Sequence, residues 1–222
     1  MIDGSLSIIM RGLGETIYMV ILTTIFTLIF GTILGVILVV TGKDHILEAP
    51  RLNRILGTII NVVRSFPTLI LIVVLLPLSR VIIGTTLGTN AAIVPLVIGA
   101  SPFLGRVVES SLKEVERGKI EAAIAMGTHP FHIITKVLIP EALPSLVRGI
   151  TLNIIAIIGS TAIAGAIGAG GLGSIAIRYG YQRFQTNILI ITVIILIILV
   201  QGIQLIGDLI ARRINKKRFK FE

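Results

Sequence analysis

An all-α fold, a polytopic membrane helical bundle of five transmembrane helices, is predicted by three features of the sequence. Mean hydropathy is +1.00 and 54% of the 222 residues are hydrophobic, more apolar side chain than one soluble core of this size can hide. Uncharged stretches run over residues 16–40, 65–79, 81–105, 149–177 and 184–207, and about 20 apolar residues in a helix cross the roughly 30 Å hydrocarbon layer. The 20 Lys and Arg residues, finally, are spread unevenly among the connecting segments.

The first helix is expected over about residues 15–41, followed by a short loop with the helix-ending pair Ala49-Pro50. Arg64 shortens the second run, and extension back to Ile55 restores a spanning length, with a kink at Pro67. The third helix covers about Asn90 to Val108 and contains Pro95, Gly99 and Pro102, breakers that a span tolerates when neighbours satisfy the freed backbone. Pro144 suits the first turn of the fourth helix, which runs into the glycine-rich segment 165–173. The fifth ends near Ile210 and gives way to a basic tail, 211–222. Small residues such as Ala91, Ala92, Gly99, Ala100, Gly159, Ala162, Ala164 and Gly165 predict close helix contacts. No internal repeat is evident, so residues 1–222 are expected to form a single membrane domain with its core over about 15–210.

Placing the amino terminus outside puts fifteen cations in the inner segments: Lys43, Arg51 and Arg54, then Arg106, Lys113, Arg117, Lys119, Lys136 and Arg148, then the six beyond Ala211. Arg11, Arg80, Arg178 and Arg183 fall outside, and Arg64 lies within a span. Retained loops accumulate Lys and Arg, so the amino terminus is predicted outside and the carboxyl terminus in the cytoplasm. The net charge of +9 is thereby assigned to topology and anionic lipid headgroups rather than to nucleic acid. The first apolar run exceeds the core of a signal peptide and is expected to stay as a helix. With no Cys, disulfides, thiol catalysis and thiolate metal sites are excluded.

One stretch of mixed polarity interrupts the apolar chain. Glu121-Ala122-Ala123 opens a short helix that stops at Gly127, where the left-handed conformation is open to it. Thr128 and Pro130 then open a second helix, Thr as a cap and Pro in the first turn, and Pro140 ends it. An exposed Ala face can enter a narrow cleft, where Glu121 can pair with a cation. The alternative is an amphipathic helix lying on the bilayer.

This pattern, E-A-A, three residues, Gly, nine residues and Val137-Leu138-Ile139-Pro140, resembles the E-A-A…G…I-x-L-P signature of permease subunits of bacterial ATP-binding-cassette importers. Val137 and Ile139 depart from it and keep its apolar character. Arg64-Ser65-Phe66-Pro67, Thr85-Thr86-Leu87-Gly88, the runs 91–96 and 99–103, the segment 168–173 and Tyr179-Gly180-Tyr181 are similar to the methionine-importer permeases, over about residues 15–210. The resemblance implies a multi-pass subunit of the bacterial cytoplasmic (inner) membrane that moves an amino acid, methionine, by alternating access. It implies a homodimer with two cytoplasmic ATP-binding-cassette ATPase subunits and an external amino-acid-binding protein. A cytoplasmic loop over about 106–143 would couple the parts through Glu121, Ala122, Ala123, Gly127 and Pro140. Arg64, Pro67, Gly168, Gly170, Gly171 and Gly173 are candidates for the path or gate.

The chain has no G-x-x-x-x-G-K-[ST] phosphate loop, so ATP and Mg belong to the partner ATPase, no cofactor is expected on this chain, and it is not itself an enzyme. Its single loop matches two ATPases when the chain is paired with a copy of itself. Gly168, Gly170 and Gly173 satisfy G-x-G-x-x-G but follow a membrane helix rather than a strand, and so are expected to form a compact outer turn. His129 and His132 lack a third ligand for a metal. Asp208 and Arg212 stand at ion-pair spacing. The alternatives are import of another small amino acid or polar solute, a passive channel, or an intramembrane enzyme. An enzyme needs converging polar groups within the spans, and no carboxylate or histidine is expected at membrane depth.

Overall fold

A computed structural model describes residues 2–218, with side chains for 6–215; residues 219–222 of the expected basic tail, and the side chains of Lys216, Lys217 and Arg218, lie outside the described residues. Among the described residues all regular structure is helical: α1 (Ile2–Val40), α2 (Pro50–Ser65), α3 (Thr68–Ile83), α4 (Thr89–Lys113), α5 (Arg117–Ala125), α6 (Pro130–Ile133), α7 (Ile139–Ala166), α8 (Gly171–Ile175) and α9 (Thr186–Arg218). Two π-helical turns, Ile134–Leu138 and Ala176–Tyr181, follow α6 and α8.

Among the described residues four helical stretches are long and apolar enough to span a membrane: Leu6–Val40, Thr89–Lys113, Pro130–Ala166 and Thr186–Asn215. The fifth candidate is the pair α2 and α3, bent by 108° at its break. The kinked second helix expected from Ile55 is thus two helices. Pro67 has no N–H for a helical bond, and its ring drives Phe66 out of the helical region, so α3 restarts at Thr68. Three boundaries also differ from expectation. Helix α1 begins at Ile2, α4 continues past Val108 to Lys113, and α9 continues past Ile210 to Arg218. Neither Pro140 nor Pro144 marks an end. Ile139 N–H donates to the Ile134 carbonyl across the wide π-turn, and the loosened turn accommodates the Pro140 ring that would clash in a tight α-turn. Pro144 then sits inside α7.

The residues group into two compact units. One comprises the stretch ending at Thr27 with Phe66–Ala100 and Ile154–Gln204. Its cores are Met19, Ile72, Ala92, Leu96 and Ala164, then Ile9, Leu172, Ile175 and Ile188, then Val20, Ile157 and Ile158. The other comprises Leu28–Ser65, Ser101–Asn153 and the stretch from Leu205, around Val39, Leu104, Val108, Leu112, Ile120, Ile133, Leu138 and Leu146. Within it Gly31 and Gly35, four residues apart on α1, meet α4 so closely that a Cβ on Gly35 would lie 2.6 Å from the Gly105 carbonyl. This small-x-x-x-small contact is how apolar helices gain packing contacts in lipid. The apolar window of α4 is 56% buried and that of α9 only 11%, so α4 is the most enclosed span and α9 the least.

Candidate functional site

The mixed-polarity stretch forms a rigid corner. Helix α5 ends in a Schellman motif: Gly127 takes φ +70°, its N–H donates to the Ile124 carbonyl at 2.9 Å, and Thr128 N–H donates to the Ala123 carbonyl at 3.1 Å. The left-handed glycine expected here is present. The following cap is His129 rather than Thr128: α6 opens at Pro130, which puts His129 in the cap position, while the Thr128 N–H closes α5. His129 Nδ1 accepts from Phe131 N–H at 3.3 Å, with Pro130 in the first turn.

One face of the corner is buried. Ile120, Ala123, Ile133, Leu138 and Ala142 belong to the apolar cluster, and Lys119 Nζ bonds Glu141 Oε2 at 2.9 Å, tying α5 to α7. The other face is bare. Glu121, Ala122 and Ala125 are exposed, as are Ile124 (49%), Met126 (76%) and Phe131 (63%). Glu121 makes no ion pair among the described residues. Three large apolar side chains held outward around small residues and one carboxylate have the composition of a docking knob. Pro140, the last residue of the motif, is exposed at the start of α7.

Behind the corner lies a network that spacing along the chain did not bring out. Arg106, expected where the third helix gives way to the cytoplasmic loop, stands inside α4. Its Nη1 bonds Glu109 Oε2 at 2.7 Å, and its Nη2 bonds the Gly57 carbonyl at 3.0 Å and Asn61 Oδ1 at 2.9 Å. Lys113 Nζ takes the other Glu109 oxygen at 2.7 Å. Glu109 is buried, so a carboxylate does stand within a candidate span, contrary to expectation. Both its oxygens are held by cations, which leaves neither as a base. The steps of three and then four residues from Arg106 to Glu109 to Lys113 were the available signal.

Arg64, expected inside a span, lies in the last turn of α2 with its side chain exposed, and its guanidinium is 5.9 Å from the Phe103 ring centroid. The break at Pro67 follows directly and sets Arg64 beside the bend rather than in mid-helix.

The glycine segment is also a helix end. Gly168, Gly170 and Gly171 take φ of +102°, +87° and +75°. Gly168 accepts from Gly88 N–H at 3.0 Å. Helix α8 folds back on α7 so tightly that a Cβ on Gly173 would lie 2.4 Å from the Ala162 carbonyl. The amides opening α8 are filled from α1: Gly171 N–H donates to Glu15 Oε2 at 2.7 Å and Leu172 N–H to Thr16 Oγ1 at 2.8 Å, while Arg11 holds the other Glu15 oxygen at 3.1 Å. A protein carboxylate thus takes the position a nucleotide phosphate would need.

His129 and His132 stack edge to face, ring centroids 6.3 Å apart. Among the described residues no group of three or more His, Asp or Glu could hold a metal ion.

Residues 31–220 match the model of the family described as binding-protein-dependent transport system inner membrane component. The chain is 49% identical over 203 residues to the methionine import system permease protein MetP of Bacillus subtilis (strain 168), covering 91% of each. It is 46% identical over 203 residues to the probable D-methionine transport system permease protein MetI of Vibrio cholerae serotype O1, covering 91% of this chain and 90% of that one. A crystal structure of the MetNI methionine ABC transporter in an inward-facing conformation contains a chain that superposes with a TM-score of 0.95 at 42% identity, over 96% of this chain and 99% of that one.

Proposed function

The chain belongs to the binding-protein-dependent transport system inner membrane component family, and from that premise we propose that it is the inner-membrane permease subunit of an ATP-driven methionine importer. The observation that carries this is the α5–α6 corner. An E-A-A helix closed by Gly127 is seated on the core through Ile120 and Ala123, and it presents Glu121, Ile124, Met126 and Phe131 outward. The methionine-import names of the relatives support the cargo.

In this reading two copies pair, each corner docks into one of two ATPase subunits that bind ATP and Mg, and an external binding protein delivers the amino acid. The amino terminus is outside, and residues 106–143 and the carboxyl terminus face the cytoplasm, as the bias of Lys and Arg supports. Closure of the ATPases on ATP moves the corners, and the path alternates between inward and outward access. Glu121, Ala122, Ala123, Gly127 and Pro140 form the coupling element. The break at Arg64 and Pro67 and the turn at Gly168, Gly170, Gly171 and Gly173 line or gate the path. The chain contributes no covalent chemistry.

The test is uptake of labelled methionine by vesicles containing the whole transporter. Glu121→Lys is expected to lower uptake at least about tenfold, as loss of an interfacial charge pair does; full ATP-driven uptake would remove Glu121 from coupling. Competition by other amino acids and polar solutes tests the cargo, and methionine is expected to compete best. Arg64→Met is expected to slow transport, and unaltered hydrolysis and uptake would take Arg64 out of the path.

A further inference from the structure

The loop after α1, the start of α2 and the junction of α4 with α5 enclose a cavity of about 420 Å³, in the range of roughly 300–1,000 Å³ typical of small-molecule sites. Its polar walls are Lys43, His45, Asn53, Lys113 and Arg117, and no carboxylate lines it. Lys113 already contacts Glu109, yet an ammonium has three donors. Asn53 is braced by bonds from its Nδ2 to the Leu38 carbonyl at 2.6 Å and Thr41 Oγ1 at 3.0 Å. Three cations around one concavity repel each other unless an anion joins them.

The depth of the cavity follows from α2. Arg51 and Arg54 lie among exposed residues of this helix, and Leu52, Ile55, Ile59 and Val62, at 3–4-residue spacing, make an exposed apolar stripe along it. Such a helix lies in the membrane interface, apolar face toward the acyl chains and polar face toward the headgroups. Asn53, on the first turns of α2, therefore brings the mouth of the cavity to headgroup level. We propose that this cavity binds the phosphate group of an anionic membrane lipid, clamped by Lys43, Lys113 and Arg117. A soluble phosphate is an anion too, but the interfacial helix beside the cavity favours the lipid.

His45 reports on the site. Burial, then Arg117 and Lys113, hold its pKa below the ordinary 6.5, against the opposing charge of Asp44. Lys43 adds a further cation at the cavity wall. A bound phosphate offsets these cations and must raise the His45 midpoint.

The experiment uses the full-length chain in nanodiscs of zwitterionic phosphatidylcholine, with the three histidines titrated by NMR as phosphatidylglycerol replaces part of the lipid. The His45 midpoint is expected to rise while those of His129 and His132 stay; an unmoved His45 overturns the site. Inorganic phosphate added to phosphatidylcholine nanodiscs is expected to leave His45 unmoved, and an equal rise there overturns the assignment to lipid. Affinity for phosphatidylglycerol is expected to fall about five-fold for each cation removed, so about 25-fold for Lys43→Gln/Arg117→Gln. Arg51→Gln/Arg54→Gln is expected to change it under about two-fold, since these residues are off the cavity. Equal losses in the two double variants would mean general surface attraction and overturn the site.

Discussion

Arg106 and Arg64 exchange the environments that position along the chain suggests. Arg106 is part-buried and held by three acceptors, while Lys113 takes the other Glu109 oxygen, whereas Arg64 is exposed beside the break at Pro67. Arg106→Met leaves the Gly57 carbonyl and Asn61 Oδ1 without the Arg106 donor and the buried Glu109 with Lys113 alone, and is expected to destabilise by about 2 kcal/mol. Lys113→Met, at the exposed end of the same network, should cost about 0.5 kcal/mol; unfolding in detergent micelles checks the contrast, which fails if the two are equal. His45 carries a pH dependence. Its folded pKa lies below 6.5 because burial, Arg117 and Lys113 disfavour the charged ring, so below pH 6.5 the unfolded chain binds more protons. The fold therefore weakens as pH falls through 6.5 and levels off below the folded midpoint. His45→Gln is expected to flatten that part of the pH–stability profile. Gly127, by contrast, was legible in the sequence, since a helix of small residues meeting a glycine forecasts a left-handed end and no distant residue competes for it.

At the scale of elements, the α5–α6 corner follows from local chemistry, and its stop depends on one torsion. Gly127→Ala is expected to cost about 1 kcal/mol at φ +70°, with Gly127→Asn milder because Asn tolerates that region; equal stability of all three would contradict the motif. The π-turns were not legible. Pro140 has the same local signature whether it ends a helix or follows a widened turn, and the packing of Leu138 and Ala142 into the core decides for the latter. The same holds for the second span, where the apolar run suggested one kinked helix and the break at Pro67 left two, α2 and α3, bent by 108°. Helix α1 tests the packing at this scale. Gly35→Leu should force it off α4 and cost about 1–3 kcal/mol, as overpacking does, read as a lowered thermal midpoint. An unchanged midpoint would mean that the helices separate freely.

For the whole molecule, the prediction is one of assembly. Met126→Cys, in a chain that has no Cys, is expected to be shielded from soluble thiol reagents in the intact transporter and, when labelled with a thiol-reactive photo-cross-linker before assembly, to be joined to an ATPase subunit. Full reactivity in the assembled complex would show the corner to be unoccupied. The sequence by itself determined the helical membrane class, four of the spans and the E-A-A corner, because hydropathy, charge bias and helix-end chemistry are properties of residues near each other in the chain. Only the tertiary structure decided which cations are enclosed, where prolines are absorbed and what holds the glycine turn. Glu15 bonds Gly171 across 156 positions of sequence. No local pattern encodes that bond, since burial and hydrogen-bond partners arise only when distant segments exclude solvent from one another.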